Sequence, residues 1–279
     1  MSAPSPLRAA RASIAAAWCA ALVIAAIAVA HPLALAALAL AVLLAARAAG
    51  AGRGVARSLV LSVPVALLIV LVNALVSRDG LTVLARLGDG GPLGQLDVTL
   101  EAICFGADQG LVLIVLVAIC ALGAAAIDGD QLLLAMRRTS FRSALTATIA
   151  TRMVPLLASD ARRIGEAQRC RPDPGGRLAV MRAITANALD RSLDIAATLE
   201  VRGYASAHRP ARRRRPLSRH DLAFALSAAA LVAVPFALRP PFHFYPSLHA
   251  SLGPGTLALA GALAAVTLAP FAARRGIAR

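Results

Sequence analysis

The chain has no lysine: all 29 of its basic residues are Arg. A Walker A phosphate loop needs a Lys to reach the terminal phosphates of a nucleotide, so this chain is not a P-loop ATPase by itself. Charge of either sign is scarce, at 15% of the residues, where a soluble domain carries about 25%. Water is therefore not the main solvent. Cysteine is limited to Cys19, Cys104, Cys120 and Cys170, far apart, three of them inside apolar runs, with no C-x-x-C pair and no His close by. They read as small hydrophobes and not as a metal or redox centre. His208, His220, His243 and His249 lack ligand spacing as well. The apolar runs contain no H-E-x-x-H, no Ser/His pair and no Asp cluster, which leaves an intramembrane enzyme without its machinery.

What is abundant is apolar length. The chain is 59% hydrophobic over 279 residues, and several stretches of about 18 to 25 residues are long enough to cross a hydrocarbon core of about 30 Å as helices. They are too long for strands and show no period-2 alternation, which speaks against a barrel; helices satisfy their own backbone, so an all-α, polytopic helical bundle follows. The runs fall at about Ser13 to Ala30, Leu33 to Ala46, Leu59 to Val76, Leu100 to Ile127, Leu222 to Leu238 and Thr256 to Ala273, about six spans. His31-Pro32 divides the first two, and a Gly-rich basic segment from Arg47 to Arg57 precedes the third. Arg8 and Arg11 precede the first run as in a signal peptide, but no clean cleavage site follows, so a retained first helix is expected. The Gly-rich segment from Asp79 to Asp97 suits a loop or an interfacial helix. Three regions result: an N-terminal transmembrane bundle over 1–127, an Arg-rich cytoplasmic or interfacial helical region over 128–220 and C-terminal transmembrane helices over 221–279.

The formal net charge of +15 does not call for nucleic acid, because the Arg residues gather at the ends of apolar runs. That is the positive-inside pattern. With six spans it places Arg8/Arg11, Arg47 to Arg57, Asp128 to His220 and Arg274 to Arg279 on the cytoplasmic side, both termini included. The Phe242-His243-Phe244-Tyr245 cluster then lies at the outer interface, and the chain is a multi-pass protein of the cell membrane. The cluster Arg209 to Pro216, just before the fifth run, is expected to set topology and to bind anionic lipid headgroups. Asp108, inside an apolar run but near its outer end, is read as solvated or functional, and Asn73 as an interhelical hydrogen-bonding group.

From Asp128 to His220 the chain carries 18 Arg and 8 acidic residues. Leu178, Met181, Thr185, Ala188, Ser192, Ile195 and Leu199 recur at steps of three or four and predict an amphipathic helix. Ser143 to Ala158 is apolar enough to be partly embedded. Two related stretches stand out, Glu166-Ala-Gln-Arg-Cys170-Arg171-Pro172 and Leu199-Glu200-Val201-Arg202-Gly203-Tyr204. Each sets an Arg at the end of a helical stretch immediately before a helix breaker. An Arg there is stabilised by the partial negative charge of the helix end, by about 0.3 to 1 kcal/mol, which by itself needs no partner.

The pair, 31 residues apart in one Arg-rich insert, resembles the T component of energy-coupling factor (ECF) transporters, the EcfT or CbiQ type. The resemblance runs from about Asn73 through Ala205. Its strongest parts are Arg152-Met-Val-Pro-Leu-Leu157 leading into Ala161 to Arg169, and Asp190 to Tyr204. In that family two cytoplasmic coupling helices each end in an Ala-Arg-Gly signature whose Arg docks on one of two ATPase subunits. Carried over by position, Arg171 and Arg202 take that role, flanked by Glu166 and Glu200. Cys170 and Val201 stand where the family has Ala, and Pro172 where it has the first Gly, while Gly203 is retained. Proline biases Arg171 away from helical dihedrals, so the first helix is expected to end early. The resemblance implies a non-catalytic subunit of a vitamin or transition-metal importer. Its partners would be two ABC-type ATPases, which bind ATP and Mg themselves, and a small membrane substrate-binding subunit. A membrane scaffold or an intramembrane enzyme without ATPases is the alternative.

Overall fold

Each apolar run closes its own backbone hydrogen bonds, and the breakers between runs decide where each helix stops. The computed structural model describes residues 6–29, 31–76, 82–87, 96–136, 141–170, 172, 176–203, 217–238 and 253–272. Its elements are α1 (Pro6–Ala9), α2 (Ala12–Ala28), α3 (Pro32–Ala48), α4 (Gly52–Val76), β1 (Val83–Leu87), β2 (Leu96–Thr99), α5 (Leu100–Ala126), α6 (Gly129–Met136), α7 (Phe141–Arg169), α8 (Arg177–Val201), α9 (Arg219–Ala237) and α10 (Pro254–Ala272). The chain divides into two units, one of residues 1–132 with 217–279 and one of residues 133–216.

The first unit is a helical bundle of a multi-pass membrane protein, with two corrections to the expected plan. Among the described residues four helices, α4, α5, α9 and α10, are long and apolar enough to cross a membrane, where about six spans were expected. The other two apolar helices, α2 and α3, have 17 residues each. The His31-Pro32 break limits both: Pro32 is the first residue of α3, and the His31 ring accepts from the Leu33 N–H at 3.2 Å. At about 1.5 Å per residue each reaches about 25 Å. The second correction concerns Asp79 to Asp97, expected as a loop or interfacial helix. Thr82, Val83, Val98 and Thr99 favour extended backbone, and β1 and β2 pair antiparallel with Val83 opposite Thr99 and Leu87 opposite Leu96. The small sheet is tied to α5. The Leu100 N–H donates to the Thr82 carbonyl at 3.0 Å, and the Glu101 carboxylate accepts from the Thr82 hydroxyl at 2.8 Å. Thr99 caps α5 by accepting from the Ala102 N–H.

The core of this unit lies where α2, α3, α5, α9 and α10 meet. Trp18 of α2 is fully buried and packs edge-on against Phe224 of α9 and Phe271 of α10, with ring centroids 5.5 and 5.7 Å away. Its indole N–H donates to the Ser227 hydroxyl at 3.0 Å, and Ser227 donates in turn to the Val266 carbonyl at 2.7 Å. That carbonyl is four residues before Pro270, which has no N–H to offer it. Ser227 thus supplies the donor that proline removed, and one hydroxyl links three helices. At the other end of α9, Ser218 and Asp221 form a capping box, and Asp221 also accepts from the Arg11 N–H at 3.0 Å.

On its other face α5 approaches α4 closely. A Cβ at Gly106 would lie 2.9 Å from the Val70 Cα, and one at Gly110 would lie 3.2 Å from the Ala66 carbonyl oxygen. Gly106 and Gly110 are one helical turn apart, so the pair acts as a small-residue contact of the kind that lets membrane helices meet backbone to backbone. Two polar residues of these helices were singled out in the sequence. Asn73 donates to the Ile69 carbonyl of its own helix at 3.0 Å. Asp108 is buried, and its Oδ1 has no hydrogen-bond partner among the described residues. It shares the α5 face of Val115, Ile119 and Leu122, which turns it inward.

Candidate functional site

The second unit carries both Arg stretches. Its helices α7 and α8 pack on each other and are joined through residues 170–176. Ser143 to Ala158 forms part of the single helix α7, which is not among the helices apolar enough to cross a membrane. Pro155 lies inside it; the neighbouring Thr151 hydroxyl donates back to the Thr148 carbonyl at 3.1 Å.

Of the expected α8 stripe, Ala188, Ile195 and Leu199 are half-buried, and Leu178, Met181, Thr185 and Ser192 are exposed; Val180, Ile184, Asn187 and Arg191 are half-buried as well. A polar contact fixes which residues of α8 face α7. The Asp160 carboxylate of α7, itself buried, accepts from Asn187 at 3.2 Å and from Arg191 at 3.3 Å, both on α8, and from Arg163 at 3.4 Å on its own helix. Asn187 and Arg191 are one turn apart and so share a stripe, which must face α7 for both to reach one carboxylate. Sequence reading missed this cross-link. Its only local signal is an acid in the middle of an Arg-rich helix with an Asn and an Arg at i and i+4 on the next.

The two candidate tips differ. α7 ends at Arg169, short of its Arg motif, in keeping with the effect of Pro172 on the preceding residue. Glu166 and Cys170 are exposed there, as is Pro172; Arg171 lies outside the described residues. α8 ends at Val201, and Arg202 is its C-cap, with φ −79° and ψ 4°. Gly203 follows at φ +71°, the left-handed conformation that glycine adopts without a Cβ penalty, and its N–H donates to the Glu200 carbonyl at 2.9 Å. This ends the helix within one residue of Arg202. Glu200, Val201, Arg202 and Gly203 are all exposed, Val201 at 90%.

The structure does not bring the two tips together. The first lies just before the start of α8 and the second at its end, so the 25 residues of α8 separate them, about 37 Å of helix. Among the described residues no group of three His, Cys, Asp or Glu is placed to hold a metal ion. The basic cluster from Arg209 to Pro216, the Phe242 to Tyr245 aromatics and Arg274/Arg275 lie outside the described residues.

A family model described as CbiQ, cobalt transport protein, matches residues 3–211, a range that includes both Arg stretches and most of the first unit's N-terminal part. No curated protein matches the chain.

Proposed function

We propose, from the premise that this chain belongs to the CbiQ family of cobalt transport proteins, that it is the transmembrane coupling subunit of an ECF-type importer. The family's members are non-catalytic transport subunits with a general coupling role in ECF transporters. The finer reading concerns how this chain couples. Arg202 and Arg171 each dock on a separate ABC-type ATPase, with Glu200, Val201 and Gly203 shaping the second tip and Glu166 and Cys170 the first. ATP and Mg belong to those partners. A small membrane subunit binds the transported compound, a transition-metal ion or a vitamin, and the 128–220 region and both termini face the cytoplasm.

The observation that carries this reading is the α8 tip, where an exposed guanidinium and an exposed Val are held at a sharp glycine-terminated helix end. Arg suits the role because its planar group keeps its charge and offers five donors to carboxylates and carbonyls. The separation of the tips by the length of α8 supports two ATPases and not one. When their closure moves the tips, α7 and α8 move as a pair held at Asp160, and the exposed Leu178, Met181, Leu189 and Leu193 give α8 an apolar face through which to displace the substrate-binding subunit.

Purification of the complex in mild detergent tests this. Arg202→Glu removes an interface anchor of about 2 kcal/mol and reverses its charge, so at least a thirty-fold weaker association with the ATPases is expected while the bundle stays folded. ATPases retained at full stoichiometry by Arg202→Glu would refute the docking role.

A further inference from the structure

The joint between α3 and α4 holds a second feature, unrelated to the Arg tips. α3 ends in a tight reversal: Gly50 sits at φ +72°, the Gly50 N–H donates to the Arg47 carbonyl at 3.0 Å and the Ala51 N–H to the Ala46 carbonyl at 2.9 Å. This paired closure starts α4 at Gly52, only four residues after α3 stops. The reversal places Arg47, in the last turn of α3, and Arg53, in the first turn of α4, on one open groove of about 700 Å³. The stem of Arg47 lies against Gly52, where a Cβ would be 3.4 Å from its Cγ. Leu43, Ala46, Ala56 and Leu59 line the rest of the groove, an apolar wall on each helix.

Two cations on this groove lack a counter-charge among the described residues. Both Arg are exposed and neither forms an ion pair among the described residues. The sequence offers none nearby, since the first 78 residues contain six Arg and no Asp or Glu at all. Arg57 follows Arg53 by one helical turn, a like-charge spacing that is mildly unfavourable unless an anion lies over it. An apolar trough running up two apolar helices from a pair of guanidinium groups has the chemistry of one ligand class: an anionic head carried on a hydrocarbon tail.

We propose that this groove is a binding site for an anionic phospholipid, its phosphate held between Arg47 and Arg53 and the first part of an acyl chain laid along Leu43 and Leu59. Guanidinium groups grip phosphate oxygens through paired N–H donors. Two such residues at a membrane surface together favour an anionic over a zwitterionic lipid by about thirty-fold. Lipid binding here uses no ATPase, so its failure and the failure of ATPase docking are read in separate experiments.

The test uses the full chain in bilayer nanodiscs with brominated phosphatidylglycerol or brominated phosphatidylcholine as quencher. Leu59→Trp places a reporter in the groove, and Leu71→Trp, exposed farther along α4, reports bulk lipid contact. The native Trp18 is fully buried and shielded from acyl chains. Quenching of the Leu59→Trp reporter is expected to favour phosphatidylglycerol by about thirty-fold in relative association, to fall to parity in Arg47→Gln/Arg53→Gln, and to show no headgroup preference at Leu71→Trp. An unchanged Trp18 emission and helical content establish that the double variant is folded; Arg53→Gln alone, with an intermediate preference, serves as the second variant. Equal quenching by the two lipids in the Leu59→Trp protein, a preference that survives loss of both Arg, or a preference abolished by millimolar inorganic phosphate would each overturn the proposal, the last by making the ligand a free anion.

Discussion

Ser227 is the most economical place to test how the bundle is held. Ser227→Ala removes one oxygen and strands two groups: the Trp18 indole N–H, 3.0 Å away, and the Val266 carbonyl, 2.7 Å away. Polar contacts between membrane helices contribute about 0.6 to 1.7 kcal/mol each, so the pair amounts to about 2 kcal/mol. The structure also specifies a rescue. Pro270→Ala restores an N–H four residues after Val266, and that carbonyl then pairs within α10. In the Pro270→Ala background, Ser227→Ala should cost only the indole bond, about 1 kcal/mol. Unfolding in mixed micelles by rising sodium dodecyl sulfate, followed by helical circular dichroism and by the emission of the single Trp, measures all four proteins of the cycle. A cost of Ser227→Ala that is the same in the native and the Pro270→Ala backgrounds would refute the assignment of Ser227 as the donor that replaces the missing backbone N–H.

Three further outcomes follow from the geometry. Gly106→Ala pushes a methyl to 2.9 Å from the Val70 backbone, and should destabilise the bundle by about 1 to 3 kcal/mol; Gly110→Ala, with 3.2 Å to a carbonyl oxygen, should cost less, and the reverse order in the same titration would contradict the α4–α5 packing. Asp160→Asn weakens the bonds to Arg191 and Asn187; a loss of about 1.4 kcal/mol corresponds to tenfold faster amide exchange, to be sought in the α7 and α8 turns around residues 160 and 187–191 and not in α9 or α10. Gly203→Ala forces a side chain into the left-handed conformation at φ +71°, a penalty of about 1 to 2 kcal/mol; it should fray the last turn of α8 and reduce ATPase co-purification with Arg202 still present, whereas full retention would leave Gly203 without a part in docking.

Much of this protein can be read without coordinates because the relevant physics is local in sequence. An apolar run long enough to cross a bilayer has to satisfy its own backbone, so the helices at Leu59, Leu100, Leu222 and Thr256 were legible from length and composition, and Gly203 announced the end of α8 because its freedom at positive φ is intrinsic to glycine. The same locality explains the misses. Whether a 17-residue apolar helix such as α2 or α3 makes a span depends on what surrounds it, and within the expected loop the residues of β1 and β2 became strands only because Val83 found Thr99. Spacing alone marks a stripe of apolar residues on α8 without saying which residues a neighbour claims; Asp160, on another helix, claimed Asn187 and Arg191.

Composition and periodicity by themselves determined that this is a helical membrane protein with an Arg-rich insert and two Arg-bearing helix ends, since those properties are sums over neighbouring residues. Tertiary structure alone decided how the pieces meet: the hydroxyl of Ser227 answering Pro270 from a different helix, the Gly106 and Gly110 face closing on α4, the α8 residues Asn187 and Arg191 gathered on Asp160 of α7, and the groove between Arg47 and Arg53. Each of these joins groups from separate helices, and no single helix encodes the partner it will meet.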